Sequence, residues 1–156
     1  MTKNVTFLYK VLIFDQKTTI FLSTPVHVTY FKTLYRTNNL WEDAYRIARI
    51  HAGETAEKQL AFLWARSLGG DSAVKLLNRL GHMNDVIDIA ATNGAFEFAF
   101  ELAKASGVKT KILDVHEKLA VHHEDEGQFK QAEEHFVKAN KHREAVLMYV
   151  HNKGKI

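Results

Sequence analysis

Ala132, Phe136 and Ala139 are spaced four and then three residues apart, so on an α-helix they share one face. Leu119-Ala120 precedes them, and Gly127 sits between, where the chain must reverse. Alanines let two helix backbones approach, and Phe136 fills the groove between them. This patterning restricts the chain to packed helical hairpins, because a strand would need a period of two.

The same device recurs. Trp41-x-x-Ala44, Phe96-x-x-Ala99 and Phe129-x-x-Ala132 each place an aromatic residue one turn before an alanine, with Met83-x-x-Val86 a weaker copy. Phe96 and Phe129 are 33 residues apart, close to the 34-residue tetratricopeptide period. The other spacings are irregular, so the repeats are degenerate. Helices are expected at about 39–51, 55–68, 71–80, 83–92, 95–106, 110–125, 128–139 and 141–151. Their ends are marked by Gly53, Gly69-Gly70, Gly81, Asn93-Gly94, Gly107, Gly127 and Asn140. Asp71 and Thr110 are expected to be N-caps. Turns this short pack consecutive helices against each other.

The segment Ala95 to Glu101 alternates as a strand would. Helix is the better reading, because the pattern continues through Leu102-Ala103-Lys104-Ala105 between Gly94 and Gly107. Phe96, Ala99, Phe100 and Ala103 then form one face, with Phe98 and Leu102 nearly opposite. A helix apolar on two sides is sandwiched between neighbours. The helix carrying Ala61, Phe62, Leu63 and Trp64 is similar.

The opening residues differ in character. Val5 to Tyr9, Thr18 to Leu22 and Val26 to Tyr30 are rich in strand formers, so residues 1–31 read as a hairpin or meander. The expected organisation is therefore a short N-terminal segment, 1–31, followed by an all-α solenoid of antiparallel helix pairs, 32–156.

Composition narrows the chemistry. The 156 residues suffice for one domain with a core. The net charge of +3 comes from 21 basic and 18 acidic residues that are scattered, whereas a nucleic-acid binder concentrates its bases in a stripe. No nucleic-acid partner is expected. The chain has no cysteine, which excludes disulfides, thiolate catalysis and cysteine-based zinc sites. The longest apolar stretch, Val5 to Phe14, is interrupted by Lys10 and falls well short of the about 20 residues of a membrane span. It is not followed by a small-x-small cleavage pattern either, so neither membrane insertion nor a secretory leader is expected.

Nine histidines raise the question of a metal. His116-Glu117 resembles the start of a metalloprotease helix, but position 120, where the second ligand belongs, is Ala120. His116, His123 and Glu126 fall roughly along one side of a helix. They read as solvated groups near its end. The run Glu124-Asp125-Glu126 lacks the alternating oxygen ligands of a calcium loop. Gly69-Gly70-Asp71-Ser72 and Gly53-Glu54-Thr55 lack the Lys-Ser/Thr ending of a phosphate loop and read as turns. No Gly-x-Ser-x-Gly elbow is present. Catalytic, cofactor and metal residues are accordingly expected to be absent. The aromatics Trp41, Tyr45, Trp64, Phe96, Phe98 and Phe100 fit a packed interior; one left exposed would mark a partner site.

Four stretches are more particular than any generic repeat. They are Leu40-Trp41-Glu42-Asp43-Ala44-Tyr45-Arg46-Ile47-Ala48-Arg49, Ala61-Phe62-Leu63-Trp64-Ala65-Arg66-Ser67-Leu68-Gly69-Gly70, Phe96-Glu97-Phe98-Ala99-Phe100-Glu101-Leu102 and Glu144-Ala145-Val146-Leu147-Met148-Tyr149-Val150-His151-Asn152. On these, residues of about 32–152 resemble the intraflagellar transport protein 172 family. The resemblance implies a window of a long α-solenoid that follows N-terminal β-propellers, in a subunit of the complex-B particle that carries cargo along cilia. The implied function is a protein–protein interaction scaffold rather than an enzyme. The implied partners are other intraflagellar transport subunits or ciliary cargo. The implied location is the cilium, at the axoneme or ciliary base, or the cytoplasm if the piece is not incorporated. Met1 to about Tyr30 depart from the family and are expected not to be native repeat sequence. Two rival readings are a truncated non-functional fragment, self-associating through uncapped solenoid ends, and a metal-dependent helical enzyme. The residues expected to carry the repeat signature are Trp41, Ala44, Trp64, Phe96, Ala99, Gly127, Ala132, Phe136 and Ala139.

Overall fold

A computed structural model describes residues 40–154. The expected hairpin over 1–31 lies outside the described residues. Those described are all-α, with no strand among them, and most helices adjacent in sequence pack as neighbouring pairs, a solenoid-like arrangement. The helices are α1 (Leu40–Ile47), α2 (Gly53–Leu68), α3 (Gly70–Leu80), α4 (Met83–Thr92), α5 (Phe96–Ser106), α6 (Lys109–Asp125), α7 (Phe129–Lys138) and α8 (His142–His151), with a π-helical turn, Ala48–Ala52, following α1. The chain divides into two compact units, and the boundary between Ala73 and Val74 falls inside α3.

In the first unit, the single helix expected over 39–51 is instead α1 plus the π turn. The wider π coil accommodates an extra residue within a helical path. It keeps Ala48 fully buried and leaves Arg49, Ile50 and His51 outside. α2 buries Leu60, Ala61, Phe62, Trp64 and Ala65, positions that lie around most of its circumference.

In the second unit, α6 packs against α7, α5 and α4, and α7 in turn packs against α8. α5 is helical throughout Phe96–Ser106, so the helical reading of the alternating segment holds. Between α6, α7 and α8 lies a cluster of Ala120, Ala132, Phe136, Ala145 and Met148, with Phe129 and Tyr149 packed against it. Each large side chain withdrawn from water here contributes about 1.5–3 kcal/mol.

The turns explain the tight pairing. After α6, the Gly127 N–H donates to the Glu124 carbonyl at 2.9 Å and the Gln128 N–H to the His123 carbonyl at 2.8 Å. This double closure is a Schellman motif, and it needs a left-handed residue at Gly127, where φ is 74°. After α7 the same closure recurs, Asn140 N–H to Val137 at 3.0 Å and Lys141 N–H to Phe136 at 2.8 Å, with Asn140 at φ 60°. Asparagine is among the side chains that tolerate this conformation best.

Two capping expectations are corrected. α3 begins at Gly70, and the Gly69 carbonyl already accepts from the Ala73 N–H at 3.1 Å, so Asp71 lies inside the first turn. There its charge complements the helix dipole without capping. α6 begins at Lys109, which puts Thr110 one residue inside the helix. The preceding Val108 N–H is held by Ser106 Oγ at 3.2 Å, so the loop is closed from the helix before it.

Candidate interaction surface

The residues expected to carry the repeat signature lie as follows. Ala44, Trp64, Ala99, Ala132, Phe136 and Ala139 are buried. Trp41 and Phe96 are half-buried, and Gly127 is exposed at its turn. In the first unit, Trp41 stacks parallel to Trp64 with ring centroids 6.3 Å apart and planes 3° from parallel. Tyr45 tilts against the same Trp64 ring at 6.2 Å. The Tyr45 hydroxyl donates to Glu57 Oε1 of α2 at 2.5 Å. Burial first, and then the Glu57 carboxylate, push the Tyr45 phenol far above its usual range. Of the other aromatics, Phe98 and Phe100 are half-buried.

The second unit is laced at its rim by charge. Asp88 of α4 receives Lys111 Nζ at 2.8 Å, and Lys118 Nζ lies 3.8 Å from the same carboxylate. Lys118 also donates to the Asp88 carbonyl and to Thr92 Oγ1, both at 3.2 Å. Lys141 reaches back from the α7–α8 turn to Glu117 at 3.2 Å, which raises the lysine's pKa. Tyr149 of α8 donates to Glu133 of α7 at 2.7 Å. These rim pairs fix register between helices, but each contributes only about 0–1 kcal/mol.

Histidines are where the structure departs furthest from sequence reasoning. His116 and His123 are half-buried rather than solvated, and they meet His135 of α7. His116 Nδ1 lies 2.9 Å from His135 Nδ1. His135 stacks on His123 at 5.5 Å between centroids, and Phe100 of α5 covers His116 at 4.6 Å. His123 Nδ1–H donates to Gln128 Oε1 at 2.7 Å. Burial is the main cause that lowers the pKa of both His116 and His135, and Lys138 lowers both further. Glu126 is not part of this group; it lies 3.5 Å from His122. His135 went unnoticed in the sequence. The signal was its position: His116 and His135 stand eleven and eight residues either side of the Gly127 turn, which is how partners across a hairpin are placed. Among the described residues, no group of three or more His, Asp or Glu side chains is arranged to hold a metal ion. No described helix is long and apolar enough to cross a membrane.

What remains outside is apolar in one place above all. On α8, Ala145 and Met148 point into the cluster, whereas Val146, Leu147 and Val150 are 62%, 37% and 49% exposed. Val150 lies four residues after Val146 and three after Leu147, which makes them one outer stripe. Val137 of α7 is also exposed. α8 is thus apolar on two faces and covered on one.

No family model matches the chain. It is 58% identical over 120 residues to the intraflagellar transport protein 172 homolog of Danio rerio, a match that covers 77% of this chain. The human homolog is 53% identical over 119 residues, and the Chlamydomonas reinhardtii intraflagellar transport protein 172 is 46% identical over 119, each covering 76% of the chain. The chain spans about 7% of the length of each of these relatives. By sequence, the matched three quarters of this chain belongs with the intraflagellar transport protein 172 proteins, as a short window of them.

Proposed function

We propose that this chain is a protein–protein interaction scaffold acting in intraflagellar transport. Its partners in this reading are other intraflagellar transport subunits or ciliary cargo, and its place is the cilium. The single observation that carries the reading is the identity of 46–58% with seven intraflagellar transport proteins over about three quarters of the chain. The architecture supports it. Stacked helix pairs use their small and aromatic residues for internal packing and leave ridges for partners. In this proposal Trp41, Ala44, Trp64, Phe96, Ala99, Gly127, Ala132, Phe136 and Ala139 set the shape, and the outer stripe of α8 makes contact. No catalytic residue, cofactor or metal enters the proposal.

The test is expression of the tagged full chain in ciliated cells, with imaging and co-precipitation against complex-B subunits. Ciliary signal and recovery of those subunits are expected, with recovery reduced at least about tenfold by Val146→Lys with Val150→Lys. A diffuse signal with no subunit recovered would overturn the proposal. A second reading, a self-associating piece without a transport role, draws on the same exposed stripe. Size-exclusion chromatography separates the two: in that reading the unmodified chain elutes as an oligomer and the double lysine variant as a monomer.

A further inference from the structure

We propose that the His116–His135 pair is a pH-operated latch between α6 and α7: it fastens the two helices while the rings share one proton and releases when both are charged. The geometry is the argument. Two imidazole nitrogens at 2.9 Å require one to donate and the other to accept, so at least one ring is neutral. With both rings protonated, two N–H groups and two charges face each other in a half-buried site.

The surroundings relieve little of that charge, and Glu134 is outweighed by burial and by the neighbouring cations. α5 presents Lys104 and the Phe100 ring to His116. α7 presents Lys138, with Glu134 as the opposing acid at His135. On α6 itself, His123 stacks on His135 and is held to Gln128 at the turn. Other acids of the surrounding helices are engaged elsewhere, among them Asp88 of α4 with Lys111 and Lys118, and Glu117 of α6 with Lys141. From α8, Tyr149 takes Glu133 and Asn152 takes Glu124.

The sign follows from linkage. Both rings have folded-state pKa values below 6.5, while an opened α6–α7 pair returns them to about 6.5. The opened form therefore binds more protons as pH falls below 6.5, and pairing weakens until the folded-state values are passed. Above 6.5 the latch is fully closed. The opening equilibrium rises about tenfold per pH unit for each proton taken up.

Amide hydrogen exchange of the full chain, read by mass spectrometry at about pH 7.5 and about pH 5.5, measures this directly. After correction for the intrinsic exchange rate, opening of α6 and α7 is expected to rise at least about tenfold more than that of α2. The double variant His116→Gln with His135→Gln is expected to lose that excess. Equal pH response of α6–α7 and α2 would overturn the latch, as would an undiminished response in the double variant. Should circular dichroism show the double variant unfolded, imidazole NMR of the unmodified chain decides. Coupled titration of the two rings below 6.5 supports the latch, and independent titration of both near 6.5 overturns it.

Discussion

Ala132 is fully buried at the α6–α7 contact, and its methyl group leaves no room for anything polar. Ala132→Glu forces a carboxylate into that contact without a cation to meet it. A loss of about 3 kcal/mol or more is expected, seen as collapse of the thermal unfolding midpoint. Asn140 makes a different demand, on the backbone. At φ 60°, Asn140→Gly is expected to leave stability within about 1 kcal/mol of the original, whereas Asn140→Val loses about 1–3 kcal/mol in chemical denaturation. Tyr45→Phe removes one hydrogen bond and leaves Glu57 Oε1 without that donor, a loss of about 1 kcal/mol by the same measurement. Ala132 was legible in the sequence, because its period with Phe136 defines a face. The Tyr45–Glu57 bond was not, since twelve residues and a π turn separate the two.

At the scale of elements, glycine and asparagine punctuation located the helices closely, because those residues stand where the backbone turns left-handed. Helix starts were less legible. Asp71 and Thr110 look like caps by type, yet backbone carbonyls of Gly69 and Val108 already serve the first turns. The π turn was invisible for a related reason: Ala48 to Ala52 fit an α-helix by composition, and only packing distinguishes the coils. The interface of α6, α7 and α8 rests on few large groups, among which Met148 is 2% exposed. Met148→Ala is therefore expected to destabilise by about 2–5 kcal/mol, with early loss of exchange protection in α7 and α8. The histidine pairing across the same interface was hidden because it depends on hairpin register, which periodicity along one helix does not reveal.

At the scale of the whole chain, the repeat architecture was open to reading because each hairpin repeats the same local solution. What the repeats serve was not, since packing residues specify how helices stack and say nothing of what the stack binds. The exposed stripe of α8 is the surface on which that question turns. Val146→Lys and Val150→Lys sit outside the core, so each is expected to change unfolding stability by no more than about 0.5 kcal/mol. Both of the chain's two tryptophans, Trp41 and Trp64, lie stacked in the first unit, and the second unit has none. Indole emission is therefore a reporter for one half of the molecule, blind to the other. A melt followed at once by fluorescence and by far-ultraviolet ellipticity gives coincident curves if the halves unravel together and offset curves if they do not.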